Sequence, residues 1–238
     1  MSDEPERFLG LDVETTGTDA RRHGLVQVGA YSEEENLLFV SDVNPGYVDA
    51  DPEAMKIHGL SFERIQSAPS TREVDERLAR WLKERCPNPA RLHAVGFNVA
   101  SFDLVFLRKF LPRSWSRLSY RTLDLNALLF ALRLSGQSLD KQAVKCEAQR
   151  RVARRVPGAP RWHDAGYDAM AATFVLDILL ERIGTPAAEA TMQEAGSLLV
   201  TARIELEKRQ PKLSLLEQEF LSSLREFFRT HPELGDSK

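Results

Sequence analysis

Three short stretches of the chain place carboxylates where apolar residues would be expected. Phe8 to Val13 is short, apolar and β-favourable, and a Thr-Thr-Gly-Thr-Asp turn closes it. Side chains alternate across a strand, so Leu9, Leu11 and Val13 point to one face and Gly10, Asp12 and Glu14 to the other. Two carboxylates then stand about 7 Å apart on one face of an apolar strand. Like charges at a sheet surface repel and resist burial unless a cation sits between them. The competing reading is a strand end entering solvent, with Asp12 as an edge charge.

The second stretch puts Asp103 at a helix start near Phe102, in a stripe with Leu107 and Phe110 that faces the sheet. A helix-start acid favoured by capping and the dipole would look the same. In the third, Ala172, Val175 and Leu179 follow Asp168 at i+4, i+7 and i+11. Asp168 therefore reads as a mid-helix acid on a buried face, with a large desolvation cost. A salt bridge to Arg121 is the rival account. His163 lies five residues earlier, just ahead of the helix, with Asp164 available as a cap. Histidine titrates near neutral pH, so beside such acids it can accept a proton, although a plain loop histidine fits too. Taken together, four acids and one histidine suit metal-assisted chemistry.

Positioning these residues requires a particular set of elements. Leu25 to Tyr31 and Leu37 to Val43 alternate with period two around the polar Ser-Glu-Glu-Glu-Asn turn, which predicts antiparallel hairpins with the first strand. A short helix is expected over Asp51 to Ile57, ending at Gly59. From Thr71, Val74, Leu78, Trp81 and Leu82 recur at helical spacing until Cys86-Pro87. A buried strand at Leu92 to Phe97 and a helix from Phe102 to Phe110 come next. A strand at Arg121 to Leu123 then leads into helical sequence from Asp124. Strands alternating with helices argue for parallel pairing, so the expected fold is α/β: an antiparallel meander plus parallel strands, flanked by helices. The stretch from His163 to Ile183 reads as a strong helix stopped by Gly184-Thr185-Pro186. Ala187 to Arg209 and Ser214 to Arg229 read as further helices. A domain over residues 1–184 with a helical C-terminal extension at 187–230 is the expected organisation.

In order and spacing these residues resemble the DEDDh family of 3′–5′ exonucleases, which includes DnaQ-like proofreading subunits. Its DxETTG motif stands here as Asp12-Val13-Glu14-Thr15-Thr16-Gly17. Its Nx3FD motif is Asn98 to Asp103, and its HxAxxD motif is His163 to Asp168. Ile57-His58-Gly59-Leu60 looks like the family's HG segment, and Thr122-Leu123-Asp124 like its TLD strand end. The resemblance covers about residues 7 to 183. It implies a ribonuclease H-like fold and two divalent ions, magnesium or manganese. Asp12, Glu14 and Asp168 would hold the first ion, Asp12 would also bridge to the second, and Asp103 would support them. His163 would be the general base for hydrolysis of a terminal phosphodiester. Thr15 and Thr16 would place backbone N–H groups near the terminal nucleotide, and His58 and Phe102 would contact substrate. The implied substrate is a single-stranded 3′ end of nucleic acid, DNA first. An RNA-trimming enzyme is the alternative, and a scaffold that binds nucleic acid or a polymerase is the reading from another class.

Composition sets looser bounds. Hydrophobic residues at 42% and charged residues at 28% exclude a disordered or collagen-like chain. Two distant cysteines, Cys86 and Cys146, give no structural zinc pattern and suit the reducing cytoplasm. No stretch approaches the roughly 20 apolar residues of a membrane span, so no membrane association is expected. The net charge of −3 does not mark a polyanion binder, yet Lys141, Lys145, Arg150, Arg151, Arg154, Arg155 and Arg161 cluster just before His163. Such a run is either a solvated helix face or a path for a phosphate backbone, with Arg154 and Arg155 as its expected contacts. The C-terminal helices either pack on the domain or dock a partner such as a polymerase.

Overall fold

The structure, a computed structural model, describes residues 5–134, 141–156 and 163–183, together with Leu221 and Arg225. Strands β1 (Arg7–Thr15), β2 (Leu25–Ser32) and β3 (Leu37–Asp42) pair antiparallel as a meander. Strand β4 (Leu92–Gly96) adds parallel to β1, and β5 (Thr122–Asp124) adds parallel to β4. The resulting order is β3-β2-β1-β4-β5, the mixed sheet that the alternation of elements predicts. Around it run α1 (Pro52–His58), α2 (Phe62–Ser67), α3 (Thr71–Arg85), α4 (Asp103–Phe110), α5 (Pro112–Trp115), α6 (Leu125–Leu134), α7 (Lys141–Arg155) and α8 (Ala165–Ile183). Strand β2 is buried along its whole length rather than on alternate residues, because it is an inner strand with both faces covered.

The two faces of β1 have different tasks. Leu9, Leu11 and Val13 enter a core with Val28 and Ala30, closed by Val74, Leu78 and Leu82 of α3 and by Phe106 and Leu107 of α4. Each such side chain stabilises the fold by roughly 1.5–3 kcal/mol when fully buried. The opposite face carries Gly10, Asp12 and Glu14, in register with Tyr31, Gly29 and Gln27 of β2. Here α8 lies backbone to backbone on the sheet. A Cβ at Gly10 would fall 2.0 Å from the Ala169 carbonyl oxygen, and one at Gly29 would fall 2.0 Å from that of Ala165. Gln27 completes the dock, its Oε1 accepting the Ala165 N–H at 2.8 Å while its Nε2 donates to Asp42 at 2.9 Å. A Gly29→Ala protein is expected to lose about 1–3 kcal/mol of stability or more, because α8 must retreat. Thermal unfolding checks this, and an unchanged Tm would show that the helix has slack.

Several expectations shift by a residue or two, and two helices were not anticipated. At six and four residues, α2 and α5 are too short to show a period. Helix α8 starts at Ala165 rather than His163, because His163 takes a left-handed φ of 71°. The expected helices at 187–209 and 214–229, and so the extension at 187–230, lie outside the described residues apart from Leu221 and Arg225. The chain forms two compact units, residues 1–128 with 141–178, and residues 129–140 with 179–238. The sheet and all the candidate site residues belong to the first. Cys86 and Cys146 form no disulfide with each other. No helix among the described residues is long and apolar enough to cross a membrane.

Candidate active site

Three elements deliver acids to one place. Asp12 and Glu14 come from the α8-facing side of β1, and Asp168 from the first turn of α8. Asp103, buried at 3% exposure, opens α4 and reaches back to β1, where its Oδ1 accepts the Val13 N–H at 3.0 Å. That N–H lies past the last register pair of β1 with β4, Gly10 with Val95, so a side chain takes the place of a strand partner.

The electrostatics record the crowding. Burial first, then the charges of Asp103, Asp168, Glu14 and Asp164, hold Asp12 well above the usual carboxylate range. Burial together with Asp168, Asp103 and Asp164 pushes Glu14 up to about 8. Asp103 is pushed up to about 7 by burial, against the lowering effect of the Val13 hydrogen bond. For Asp168 burial outweighs the His163 N–H and the Lys145 ammonium, and the group rises to about 6. Such a cluster gains from any cation placed within it.

Asp168 departs from its expected setting in two ways. It stands in the first turn of its helix, not in the middle, so the helix dipole favours its charge. Nor does it pair with Arg121, whose Nε donates to the Tyr120 hydroxyl at 3.2 Å and whose guanidinium lies over that ring. Instead Asp168 Oδ2 accepts the backbone N–H of His163 at 2.9 Å, while its buried Oδ1 has no hydrogen-bond partner among the described residues. A buried carboxylate oxygen without a donor fits a metal ion. Glu14, His163 and Asp168 each offer a ligand atom within 4.8 Å of the others. Asp12 and Asp103 stand outside that trio. The oxygen-rich donor set suits a hard divalent cation.

The remaining predicted contacts divide. His58 ends α1, ahead of the left-handed Gly59, and its Nδ1 accepts the Leu60 N–H at 3.0 Å. The neutral ring therefore carries its proton on Nε2, which is buried. Burial lowers its pKa against the raising effect of a backbone hydrogen bond with Thr15, and the neighbouring His163 lowers it further. Phe102 is half-buried against Phe106, ring centroids 5.2 Å apart. Thr15 and Thr16 are buried, and here the structure corrects the expectation for Thr16. Its N–H donates to the Gly24 carbonyl at 2.9 Å, and its hydroxyl donates to the Asp49 carbonyl while accepting the Gly24 N–H. The turn after β1 needs these bonds, so the Thr16 N–H is not offered to a nucleotide. Thr15 uses its hydroxyl on the Gly17 carbonyl at 2.8 Å. Gln27, Gly10 and Gly29 position α8 and were missed. The glycines recurring on one face of β1 and β2 were the available signal.

A family model described as Exonuclease, of the RNase T type, matches residues 9–176. The chain belongs to this exonuclease family. The DEDDh pattern lies inside the matched span. An oligoribonuclease of Corynebacterium glutamicum (strain R) is 27% identical over 134 residues, covering 52% of this chain and 61% of that protein. A 3′-5′ DNA exonuclease, Cap18 of Escherichia coli, is 30% identical over 110 residues, covering 45% of this chain and 58% of its own length. The chain thus spans about three fifths of the first of these relatives. Among solved structures, E. coli exonuclease I in complex with a dT13 oligonucleotide aligns with a TM-score of 0.55 and 18% identity, over 76% of this chain and 42% of that one. The exonuclease I of Methylocaldum szegediense aligns at 0.56 and 19%, over 82% and 45%. These two establish the shared fold.

Proposed function

We propose that this exonuclease-family protein is a divalent-metal-dependent 3′–5′ exonuclease. Its expected substrates are single-stranded 3′ ends, DNA first, and its products nucleoside 5′-monophosphates. The observation that carries the reading is the meeting of Glu14, His163 and Asp168 where β1 faces the start of α8, with the charge of Asp12 crowded against these acids and Asp168 Oδ1 without a hydrogen-bond partner among the described residues. Asp12, Glu14 and Asp168 would hold one ion, Asp12 also the second, and Asp103 would steady them. Two magnesium or manganese ions bound there would stabilise charge on the attacking and leaving oxygens of an in-line displacement.

The chain's own residues do the rest. His163 stands exposed at the rim, with a ring nitrogen within 4.8 Å of Glu14 and Asp168 oxygens. It takes the proton of the attacking water as the water oxygen bonds to phosphorus and the bond to the 3′ oxygen breaks. The shortened strand leaves with that oxygen, which takes a proton from solvent to become its new 3′-hydroxyl, and His163 returns its proton to solvent. The bond from His163 N–H to Asp168 roots the base beside the acids it serves. His58, whose ring proton sits on Nε2, and the Phe102 ring, as a stacking surface, would contact the terminal nucleotide.

Relatives named oligoribonucleases support a second substrate, short RNA. Docking of a polymerase or other partner through residues 187–230 stays with the proposal and is tested by truncation after Pro186. Matched single-stranded DNA and RNA, labelled at the 5′ or the 3′ end, test the main reading. A ladder shortening from the 3′ end, abolished by EDTA and by His163→Ala, is the expected result. Cleavage that starts at the 5′ end, or that persists in EDTA, would overturn it.

A further inference from the structure

The basic helix α7 divides its charge between two ends. Arg150 and Arg151 pair with Glu147, at 2.6 and 3.5 Å. Arg154 and Arg155 lie beside Glu33, Phe174 and Asp177, so acids also face that end of the helix. Lys141 and Lys145, one helical turn apart, share another face. Their Nζ atoms stand 5.1 and 4.9 Å from the centroid of the same ring, that of Phe97. Phe97 immediately precedes Asn98, the first residue of the stretch that ends at Asp103. Lys141 Nζ donates at 2.6 Å to Asn126 Oδ1, and Asn126 Nδ2 donates at 2.8 Å to Asn98 Oδ1. This chain of bonds ties the ammonium to the loop that turns into α4. Asn98 holds a left-handed φ of 59°, a conformation asparagine adopts readily, at the turn that leads to α4.

Lys141 is exposed, and its bonded partner is a neutral amide oxygen rather than a carboxylate. Its charge therefore remains available to an incoming anion. Lys145 acts on the charge of Asp168, and Lys141 on that of Asp124, which Asp103 also feels, so the pair lies within electrostatic reach of the acid cluster. A strand whose terminal phosphodiester sits among the acids brings its next phosphate within reach of these ammonium groups if it leaves along α7. An ammonium is a compact point charge with three donors and suits a phosphate oxygen. The arrangement differs from the path expected along Arg154 and Arg155.

We propose that Lys141 and Lys145, braced over Phe97 and through Asn126 to Asn98, form a phosphate-binding pair. They would hold an internucleotide phosphate of the single strand whose 3′ end lies at the carboxylates. The inference rests on the exonuclease reading and adds the route of the strand.

Equilibrium binding of a 5′-fluorescein single-stranded oligonucleotide, in DNA and RNA forms, tests it by anisotropy in EDTA across a salt series, with hydrolysis stopped. Each lysine changed to alanine should weaken binding about tenfold at low salt. It should also flatten the slope of log affinity against log salt by about 0.7, and the double variant by about 1.4. Lys145→Arg should restore the slope, and Arg154→Ala with Arg155→Ala should leave it unchanged. One uncharged methylphosphonate linkage, moved stepwise from the 3′ end, should cost wild type affinity at a single position. It should cost the double variant nothing there. If wild type binds and digests strands but the lysine variants keep its slope, the lysine pair is wrong and the exonuclease reading stands. A flattened slope in the Arg154 and Arg155 variant alone would return the path to the arginines. A wild-type protein that neither binds nor digests any strand would remove both readings.

Discussion

Asp12→Asn protein is expected to release nucleotides at least about 10³-fold more slowly than wild type, yet to melt at a higher temperature when no metal is present. Both effects have one cause. Asp12 is held well above the usual carboxylate range by burial and by Asp103, Asp168, Glu14 and Asp164. Its negative charge is costly in the metal-free fold and useful only with a cation beside it. Asparagine keeps the shape and removes the charge. Single-turnover digestion and calorimetry in EDTA measure the two arms. A variant that loses activity and also melts lower would mean that Asp12 is a structural group. The metal-centred account of its position would then fail.

The metal-free protein should become steadily less stable as pH rises, and magnesium or manganese should reverse the trend. Glu14, Asp103 and Asp168 stand at about 8, 7 and 6 in the folded protein, above their ordinary values of 4.5, 3.8 and 3.8. The folded state therefore holds protons more tightly than the unfolded chain. Stability from these groups is fully present below about pH 4, and it drains away as pH climbs through 6 to 8. Cation binding competes with those protons, so its stabilising effect grows over the same window. At a cation concentration about 100 times its Kd, the gain is about 2.7 kcal/mol, or roughly 5–10 °C for a chain of this size. Tm curves from pH 5 to 9, with EDTA and with each ion, test the claim. A flat or rising curve in EDTA would contradict the crowding of acids at the heart of the site.

Much of this arrangement was legible in the residues. The faces of β1 followed from its alternation, and α1 was bounded by Asp51 and Gly59, which do cap it. Helix α3 followed from its period, Val74, Leu78, Trp81 and Leu82, and the Ser70–Glu73 capping box that starts it went unread. What stayed hidden depended on partners distant in sequence. The four-residue α5 has no period of its own. It is held because the buried Asp75 carboxylate of α3 accepts the N–H groups of Arg113 and Ser114 and the Ser114 hydroxyl. The periodicity puts Asp168 mid-helix because nothing local marks His163 for a left-handed backbone. Its N–H bond to Asp168 accompanies that turn. Thr16 looked free to meet a ligand because its partners, Gly24 and Asp49, lie across the turn. The split of charge along α7 depends on which elements flank each end, and periodicity carries no such information.

The bare patches at Gly10 and Gly29 act as a built-in ruler. Main chain rests on main chain there, so the gap between the β1 acids and the α8 acid is set by the thickness of two backbones rather than by rotamers. Distant core substitutions can soften the molecule without changing that gap. A single methyl group at either glycine alters it directly, and with it the size of ion the acids can grip.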